Sequence, residues 1–338
     1  MSESKPRLSP TATSFAPLGG ATTEVRPRSN EELTPLVDAH IKLILSTTDD
    51  DTTDFAPSFD LMKPSSDLAA CIDHTLLKPD ATPEQVFNLV QEAMTYGFKS
   101  CCVNGSHIPY VTSTIAAANS SKSAANVTIP CAVIGFPLGA SATAAKVYET
   151  TLAILDGARE IDMVMSIGHL KARDYAAVYN DIARVVRAAK SGPASRPATP
   201  PVIGSNTSNS SAPERTRTPP TGTNHTSVPV KVIIETSLLT TEEKIAACYL
   251  ASIAGAAFVK TSTGFGGGGA TVDDVRLMRR TVGFMPAVQV KASGGIKTFE
   301  QCVALLKAGA HRIGASSGVS IMKSGDAAQK ESGETSGY

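Results

Sequence analysis

The chain has 338 residues, of which 42% are hydrophobic, which is enough for one large core or two smaller ones. Lys plus Arg and Asp plus Glu both number 31, so the formal net charge is zero and argues against a nucleic-acid or anionic-membrane partner. No apolar run approaches the roughly 18 residues that span a bilayer, and the N-terminus lacks the apolar stretch of a secretory signal. We therefore expect a cytoplasmic protein.

Three regions have compositions that do not favour a packed core. Residues 1–65 are rich in Ser, Thr, Pro and Asp and predict a largely disordered N-terminal extension, with one amphipathic stretch, ELTPLVDAHIKLILS, that is typical of a helix. Residues 191–228 have almost no large apolar side chains and predict a disordered insertion inside one domain. Residues 326–338 are polar and Gly/Ser-rich and predict a flexible C-terminal tail.

Between residues 66 and 325, short apolar runs alternate with helical patterns. The first clear helix begins with Thr82 as N-cap and Pro83 in the first turn, and it ends at Gly97. Near-continuous apolar strands alternating with helices predict a parallel sheet covered on both faces. Eight such runs predict a closed (β/α)8 TIM barrel in a single domain, while an open doubly wound sheet remains the alternative. The runs are CIDHTLL, SCCVN, IPCAVIGF, EIDMVMSI, VKVIIET, AAFVKTS, VQVKAS and HRIGASS.

Three charged residues interrupt the apolar strands where each strand ends. Lys260 and Lys291 each stand a few residues before glycines, and Asp162 lies among Ile, Met and Val. A buried ion pair with a structural role is one interpretation, although two lysines against one carboxylate are costly to desolvate for structure alone. The functional interpretation uses the imbalance. A lysine near a second cation in an apolar setting has a lowered pKa, so it can act as a neutral amine that forms a Schiff base.

Glycine-rich loops follow the last three predicted strands: STGFGGGG, SGG and GASSG. In TIM barrels the loops after strands 7 and 8 frequently form a phosphate site from backbone N–H groups. Gly264, Gly266 and Gly269 also spell G-x-G-x-x-G, but the next strand offers Lys291 where a dinucleotide fold needs an acidic residue.

The six histidines show no HxH or HxxxH spacing, so we expect no metal ion and no cofactor.

These motifs, in this order, resemble the deoxyribose-phosphate aldolase family. The resemblance rests on IDHTLL, CCVN, GFPLGA, EIDMVM, VKTSTGF, KASGG and GASSG, and it runs from about residue 67 to residue 322 without the insertion. It implies a class I aldolase on a (β/α)8 barrel that cleaves 2-deoxy-D-ribose 5-phosphate to acetaldehyde and D-glyceraldehyde 3-phosphate. Another Schiff-base aldolase or transaldolase, or a barrel that binds a sugar phosphate without turnover, remains the alternative.

The resemblance also implies a role for individual residues. Lys260 is the Schiff-base lysine, and Asp162 and Lys291 form the proton-relay pair. Tyr338 corresponds to a C-terminal tyrosine that shuttles a proton in some members of the family. The implied partner is a small sugar phosphate, and a homo-oligomer such as a dimer is left open. The substrate-binding positions are Asp73, Thr75, Cys102, Thr263, Gly264, Gly295, Gly314, Ser316 and Ser317.

Overall fold

A computed structural model describes residues 26–47, 55, 57, 59–119, 127–191 and 227–324. Nearly all of the predicted insertion, the tail with Tyr338 and the first 25 residues lie outside these ranges, so the predictions for them stay predictions. Within these ranges, no helix combines the length and the apolar composition that crossing a membrane requires.

Eight parallel strands close into a barrel in chain order, and the last strand pairs with the first. This confirms the predicted fold and excludes the open sheet. All of the apolar runs that were predicted as strands contain one. The strands are β1 Ile72–Leu76, β2 Ser100–Val103, β3 Ile129–Ile134, β4 Glu160–Val164, β5 Val230–Ile233, β6 Phe258–Lys260, β7 Gln289–Ser293 and β8 Arg312–Ala315.

Helices connect the strands and cover the outside of the barrel, and local capping signals set several of their ends. Thr82 and Gln85 form a reciprocal capping box before a helix that ends at Gly97, where the φ of 74° suits a residue without a Cβ. Thr240 and Thr298 begin two later helices in the same way. The helices are α1 Asn30–Ser46, α2 Ser66–Ala69, α3 Pro83–Tyr96, α4 Ile108–Asn119, α5 Thr143–Leu155, α6 Ile167–Lys171, α7 Tyr175–Ser191, α8 Thr241–Ile253, α9 Val272–Thr281 and α10 Phe299–Lys307, followed by a last helix at 318–324.

The barrel has an apolar core outside its strands and a mixed interior. The large core lies between the strands and the surrounding helices. A small apolar group, Leu77, Cys102, Cys131 and Val133, forms a separate cluster against which Phe136 packs. Side chains alternate along a strand, so every second residue faces the barrel axis. The polar residues that face the axis are therefore brought together although they lie far apart in the chain.

Helix α1 shows that the N-terminal extension is ordered in part, because a helix forms at the amphipathic stretch noted in the sequence. It packs against α8 and α7 through Leu33, Val37 and Ile44, all of them buried. The His40 side chain makes a 3.0 Å hydrogen bond with the carbonyl oxygen of Thr281. The sequence predicted this helix but not its docking site. An apolar stripe shows that one face of a helix is buried, but it does not show which elements cover that face.

We expect Leu33→Ala to lower the free energy of unfolding by about 2–5 kcal/mol, because it leaves a cavity at the α1 interface. The matched control is Leu43→Ala on the same helix, where the leucine is 53% exposed and the change should be within about 0.5 kcal/mol. Urea unfolding of both variants measures the difference. Equal effects at the two positions would show that α1 does not dock in solution.

Candidate active site

The barrel interior contains a cluster of buried charged side chains, which we call the ion cluster. It contains three carboxylates and four cations, so it has one positive charge in excess if all are ionised. None of the seven side chains is more than 10% exposed to solvent. Its members are Asp73, Glu160, Asp162, Lys231, Lys260, Lys291 and Arg312.

Asp162 is the centre of the ion cluster. Its Oδ2 accepts hydrogen bonds from Nζ of Lys260 at 2.7 Å and from Nζ of Lys291 at 2.8 Å. Its Oδ1 accepts one from Nζ of Lys231 at 2.7 Å. Strand register explains the arrangement, because Lys260 pairs with Lys291 on neighbouring strands and Asp162 pairs with Lys231. Three lysine side chains therefore share one carboxylate.

The other two carboxylates hold the remaining cations. Asp73 accepts from Lys291 at 2.5 Å and from Arg312 at 2.8 Å, and the Ser100 hydroxyl donates to it at 2.7 Å. Glu160 lies 2.6 Å from Lys231 Nζ and 2.9 Å from Arg312 Nη1. Asp73 was predicted as a substrate-pocket residue, and the structure places it in direct contact with Lys291, for which a proton-relay role was predicted.

The charges hold most of the ion cluster in its ionised form. Burial raises the pKa of Asp162, but the opposing effect of Lys231, Lys260 and Lys291 is larger and keeps that pKa well below its usual range. The pKa of Asp73 is lowered in the same way, since Lys291, Arg312 and Lys231 outweigh its burial. Burial lowers the pKa of Lys231 and of Lys291, but the carboxylates around each raise it above the usual value.

Lys260 differs from the other two lysines of the ion cluster. The salt bridges in the described ranges give it one carboxylate oxygen, which it shares with Lys291, whereas Lys231 and Lys291 each contact at least two carboxylates. Lys260 also retains 3% exposure, while the other two have none. If Lys260 is a neutral amine, the remaining charges balance as three carboxylates against three cations. The structure therefore makes Lys260 the lysine that loses fewest contacts on giving up its proton.

Two thiols lie beside Asp162. The Cys131 thiol donates to Oδ1 at 3.3 Å, and burial raises the pKa of that thiol, so it stays protonated. The Cys102 sulfur lies 4.0 Å from Oδ2. These three residues are close enough together to hold a metal ion. However, the Asp162 oxygens already accept from three ammonium groups, and those positive charges disfavour a further cation.

The loops after β5, β6 and β7 pack closely at the carboxyl end of the barrel. A Cβ at Gly266 would come within 2.7 Å of the Glu235 side chain, and one at Gly269 within 2.4 Å of the Gly294 carbonyl oxygen. Gly264 and Gly295 instead face open space and have φ values of 85° and 75°. The glycines of STGFGGGG thus serve two purposes, since some permit close packing and others leave backbone exposed at the mouth.

The other predicted site residues lie near this mouth or along the interior. Thr75 pairs with Cys102 on the neighbouring strand, and its hydroxyl donates to the Asp73 carbonyl oxygen. Gly314 lies opposite Ser293, where a Cβ would come within 2.9 Å of the Lys291 side chain. Ser316 and Ser317 follow β8 directly and precede the last helix.

Four charged residues of this site were not predicted from the sequence: Glu160, Lys231, Arg312 and Glu235. Two of them have the feature that identified Lys260 and Asp162, a charged side chain within an apolar strand. Glu160 lies two residues before Asp162 on the same strand, and Lys231 interrupts the apolar run VKVIIET. Arg312 lies at the start of its strand and resembles a solvent-exposed residue in sequence. Glu235 lies in a turn, where an acidic residue carries no signal of burial.

The chain aligns with similar curated relatives over nearly their whole length. A deoxyribose-phosphate aldolase of Carboxydothermus hydrogenoformans is 48% identical over 262 residues, which are 78% of this chain and 96% of the relative. One of Thermococcus gammatolerans is 48% identical over 257 residues, 76% of this chain and 96% of the relative. The chain belongs to the deoxyribose-phosphate aldolase family. No family model matches the chain.

Solved structures of this family share the fold. A Coccidioides immitis protein described as a candidate deoxyribose-phosphate aldolase is similar with a TM-score of 0.69 and 33% identity, over 88% of this chain and 98% of the other. The tetrameric deoxyribose phosphate aldolase of Aeropyrum pernix has a TM-score of 0.62 and 29% identity, over 78% of this chain and 93% of the other. The sequence motifs therefore identified the family correctly.

We expect Asp73→Asn to lower the free energy of unfolding at neutral pH by about 3–5 kcal/mol, because it leaves Lys291 and Arg312 short of a buried partner. The folded pKa of Asp73 is lowered, so its contribution is present above the unfolded pKa and is lost as the pH falls below about 4. The difference between variant and wild type should therefore shrink in acid, as measured by urea unfolding at several pH values. A difference that does not change with pH would contradict this assignment of charge.

Proposed function

We propose that the protein cleaves 2-deoxy-D-ribose 5-phosphate reversibly to acetaldehyde and D-glyceraldehyde 3-phosphate, through a Schiff base on Lys260. The observation that carries the proposal is the charge imbalance of the ion cluster, which disappears when one lysine is a neutral amine, together with the single carboxylate contact of Lys260, the fewest among the three lysines. A neutral amine is a nucleophile, and a lysine beside other cations in a dry site is activated in this way. Membership of the deoxyribose-phosphate aldolase family supports the substrate.

The chemistry follows from the contacts of Lys260. Its Nζ adds to the C1 carbonyl of the open-chain sugar, and loss of water gives the iminium. The C3 hydroxyl then loses its proton while the C2–C3 bond breaks, and the electron pair moves to the iminium nitrogen and leaves an enamine. Protonation at C2 and hydrolysis release acetaldehyde. Each proton step needs an acceptor and a donor close to the Lys260 nitrogen. Asp162 Oδ2 lies 2.7 Å from that nitrogen and 2.8 Å from Lys291 Nζ, so Asp162 and Lys291 supply them within one hydrogen-bonded chain.

The mouth of the barrel is suited to bind the phosphate group at the far end of the substrate. Gly264, Gly295 and Gly314 lie on or after strands β6, β7 and β8, and backbone N–H groups in glycine-rich loops are suited to an anion. Ser316 and Ser317 add hydroxyl donors on the same side. Thr75 and Cys102 line the interior next to Asp73 and Asp162, so they would contact the small aldehyde half.

The decisive test is borohydride trapping. We expect incubation with deoxyribose 5-phosphate followed by borohydride to add mass to Lys260 and not to Lys231 or Lys291, the two equally buried lysines of the ion cluster. Peptide mass spectrometry locates the adduct. Lys260→Ala should lose both the adduct and turnover, whereas Asp162→Asn should retain trapping with turnover slowed by about 10²–10⁴-fold. An adduct on another lysine, or binding of the sugar phosphate without turnover in a coupled assay, would overturn the proposal.

The pH dependence of kcat/KM tests the role of Lys291. The pKa of Lys291 is raised, so it stays positive near neutral pH and disfavours a second ammonium group on Lys260. Lys291→Leu removes this charge, and a higher pH is then needed to form the amine. The acidic limb of the profile should move alkaline by roughly 1–3 pH units, the range that a neighbouring charge produces.

Lys244→Leu is the matched control for this test, because Lys244 forms its ion pair with Asp274 outside the barrel. Its pH profile should equal that of the wild type. An unchanged acidic limb in a folded Lys291→Leu protein would show that Lys291 does not set the protonation of Lys260.

The proton shuttle by Tyr338, the homo-oligomer and the cytoplasmic location stay predictions.

A further inference from the structure

Glu235 is a buried carboxylate outside the ion cluster. It lies two residues after the end of β5, its side chain is 2% exposed, and none of the salt bridges within the described ranges includes it. A buried carboxylate without a cation is costly unless hydrogen bonds compensate for its lost hydration. Its hydrogen bonds therefore indicate why the fold retains it.

The backbone of Glu235 is also unfavourable. Its φ and ψ of 56° and 69° are in the left-handed region, which residues with a Cβ seldom adopt and which in native proteins clusters at functional sites. Hydrogen bonds made by the residues on either side of Glu235 hold this conformation. Ile234 N–H donates to the Lys260 carbonyl oxygen on one side, and Thr236 N–H donates to the Thr261 carbonyl oxygen on the other, both at 3.0 Å. The turn thus aims the Glu235 side chain at the loop that follows Lys260.

The partner of the Glu235 carboxylate is Thr263. The backbone N–H of Thr263 donates to both carboxylate oxygens at 3.3 and 3.2 Å, and the Thr263 hydroxyl donates to Oε2 in a short hydrogen bond. The same hydroxyl oxygen accepts from the Phe265 N–H at 3.0 Å. Because a hydroxyl has a single proton, donation to Glu235 leaves its lone pairs for Phe265. Glu235 therefore fixes both residues through one side chain.

This loop, residues 263–269, extends over the mouth of the barrel. The ring of Phe265 meets that of Phe136 edge-on with centroids 5.3 Å apart, although the two residues follow strands β6 and β3. Phe136 in turn packs on the apolar group formed by Leu77, Cys102, Cys131 and Val133. The loop that Glu235 holds thus joins two sides of the mouth, with Lys260 at the end of the strand that precedes it.

We propose that Glu235 is a positioning residue that fixes loop 263–269, so that Thr263 and Gly264 are held in place for the phosphorylated half of the substrate. This inference rests on the proposed function and deepens it. The role assigned to Glu235 is to hold Thr263, and it takes no part in the proton steps described above. Its loss should therefore weaken binding of the phosphorylated sugar and leave Schiff-base formation on Lys260 intact.

The test separates these two properties. Glu235→Ala should raise the KM for deoxyribose 5-phosphate by about 10- to 100-fold, the effect of losing hydrogen bonds to a charged group. Borohydride trapping of acetaldehyde on Lys260 should remain, since acetaldehyde has no phosphate. Glu235→Gln keeps an oxygen acceptor for Thr263 and should recover part of the loss. The matched control is Asp274→Asn, a buried carboxylate in an ion pair outside the barrel, whose KM should not change.

Gly266→Ala gives a second route that leaves Glu235 itself in place. The added Cβ would come within 2.7 Å of Glu235 Cδ and displace the carboxylate, so the same rise in KM is expected. Gly283→Ala is its control, because a Cβ there meets nothing within 4 Å. If Glu235→Ala does not fold, Gly266→Ala decides.

Three outcomes would overturn the inference. These are an unchanged KM in folded Glu235→Ala or in Gly266→Ala, loss of acetaldehyde trapping together with the rise in KM, and a Glu235→Gln variant no better than Glu235→Ala. Failure of the wild-type protein to trap acetaldehyde on Lys260 would instead contradict the proposed function, so the two failures are distinguishable.

Discussion

The carboxylate of Asp162, shared by three lysine side chains inside a barrel, is the interaction on which the rest of this site depends. Burying charges is costly, and a buried ion cluster is stable only when each charge has partners of opposite sign. Asp73 and Glu160 supply those partners for Lys231, Lys291 and Arg312. Lys260 contacts fewer carboxylates than Lys231, Lys291 or Arg312. The same electrostatics that stabilise the interior thus leave Lys260 as the lysine proposed to react.

The closed barrel makes this arrangement possible because parallel strands in register bring residues of different strands to the same height. Asp162 and Lys231 pair directly, as do Lys260 and Lys291. A shift of one residue in any of these strands would turn the charged side chain toward the outer core. The outer core, which the covering helices complete, therefore fixes the geometry of the ion cluster as well as the fold.

The loops at the carboxyl end of the barrel are joined by polar contacts and by glycines that allow close approach. Glu235, Thr263 and Phe265 form one such chain, and Thr261 and Ser293 form another between β6 and β7. The nitrogen proposed to react lies on strand β6, whereas most of the residues proposed to hold the phosphate lie on the loops that follow the strands. This separation is the basis for proposing that a loop residue affects binding of the phosphorylated half without affecting the amine.

The sequence alone predicted eight strands alternating with helices, the helix ends at Thr82 and Gly97, and the positions of Lys260, Asp162 and Lys291 on the strands, whereas closure of the sheet came from the structure. These features are local, because alternation, capping and glycine-rich loops each depend on a few neighbouring residues. The tertiary structure decided the partners of each charge. That Asp73 contacts Lys291 across 218 positions of the chain, that Arg312 is buried, and that α1 docks on α7 and α8 follow from barrel closure and packing. Glu235 belongs to this second group, because only the fold brings its carboxylate to Thr263.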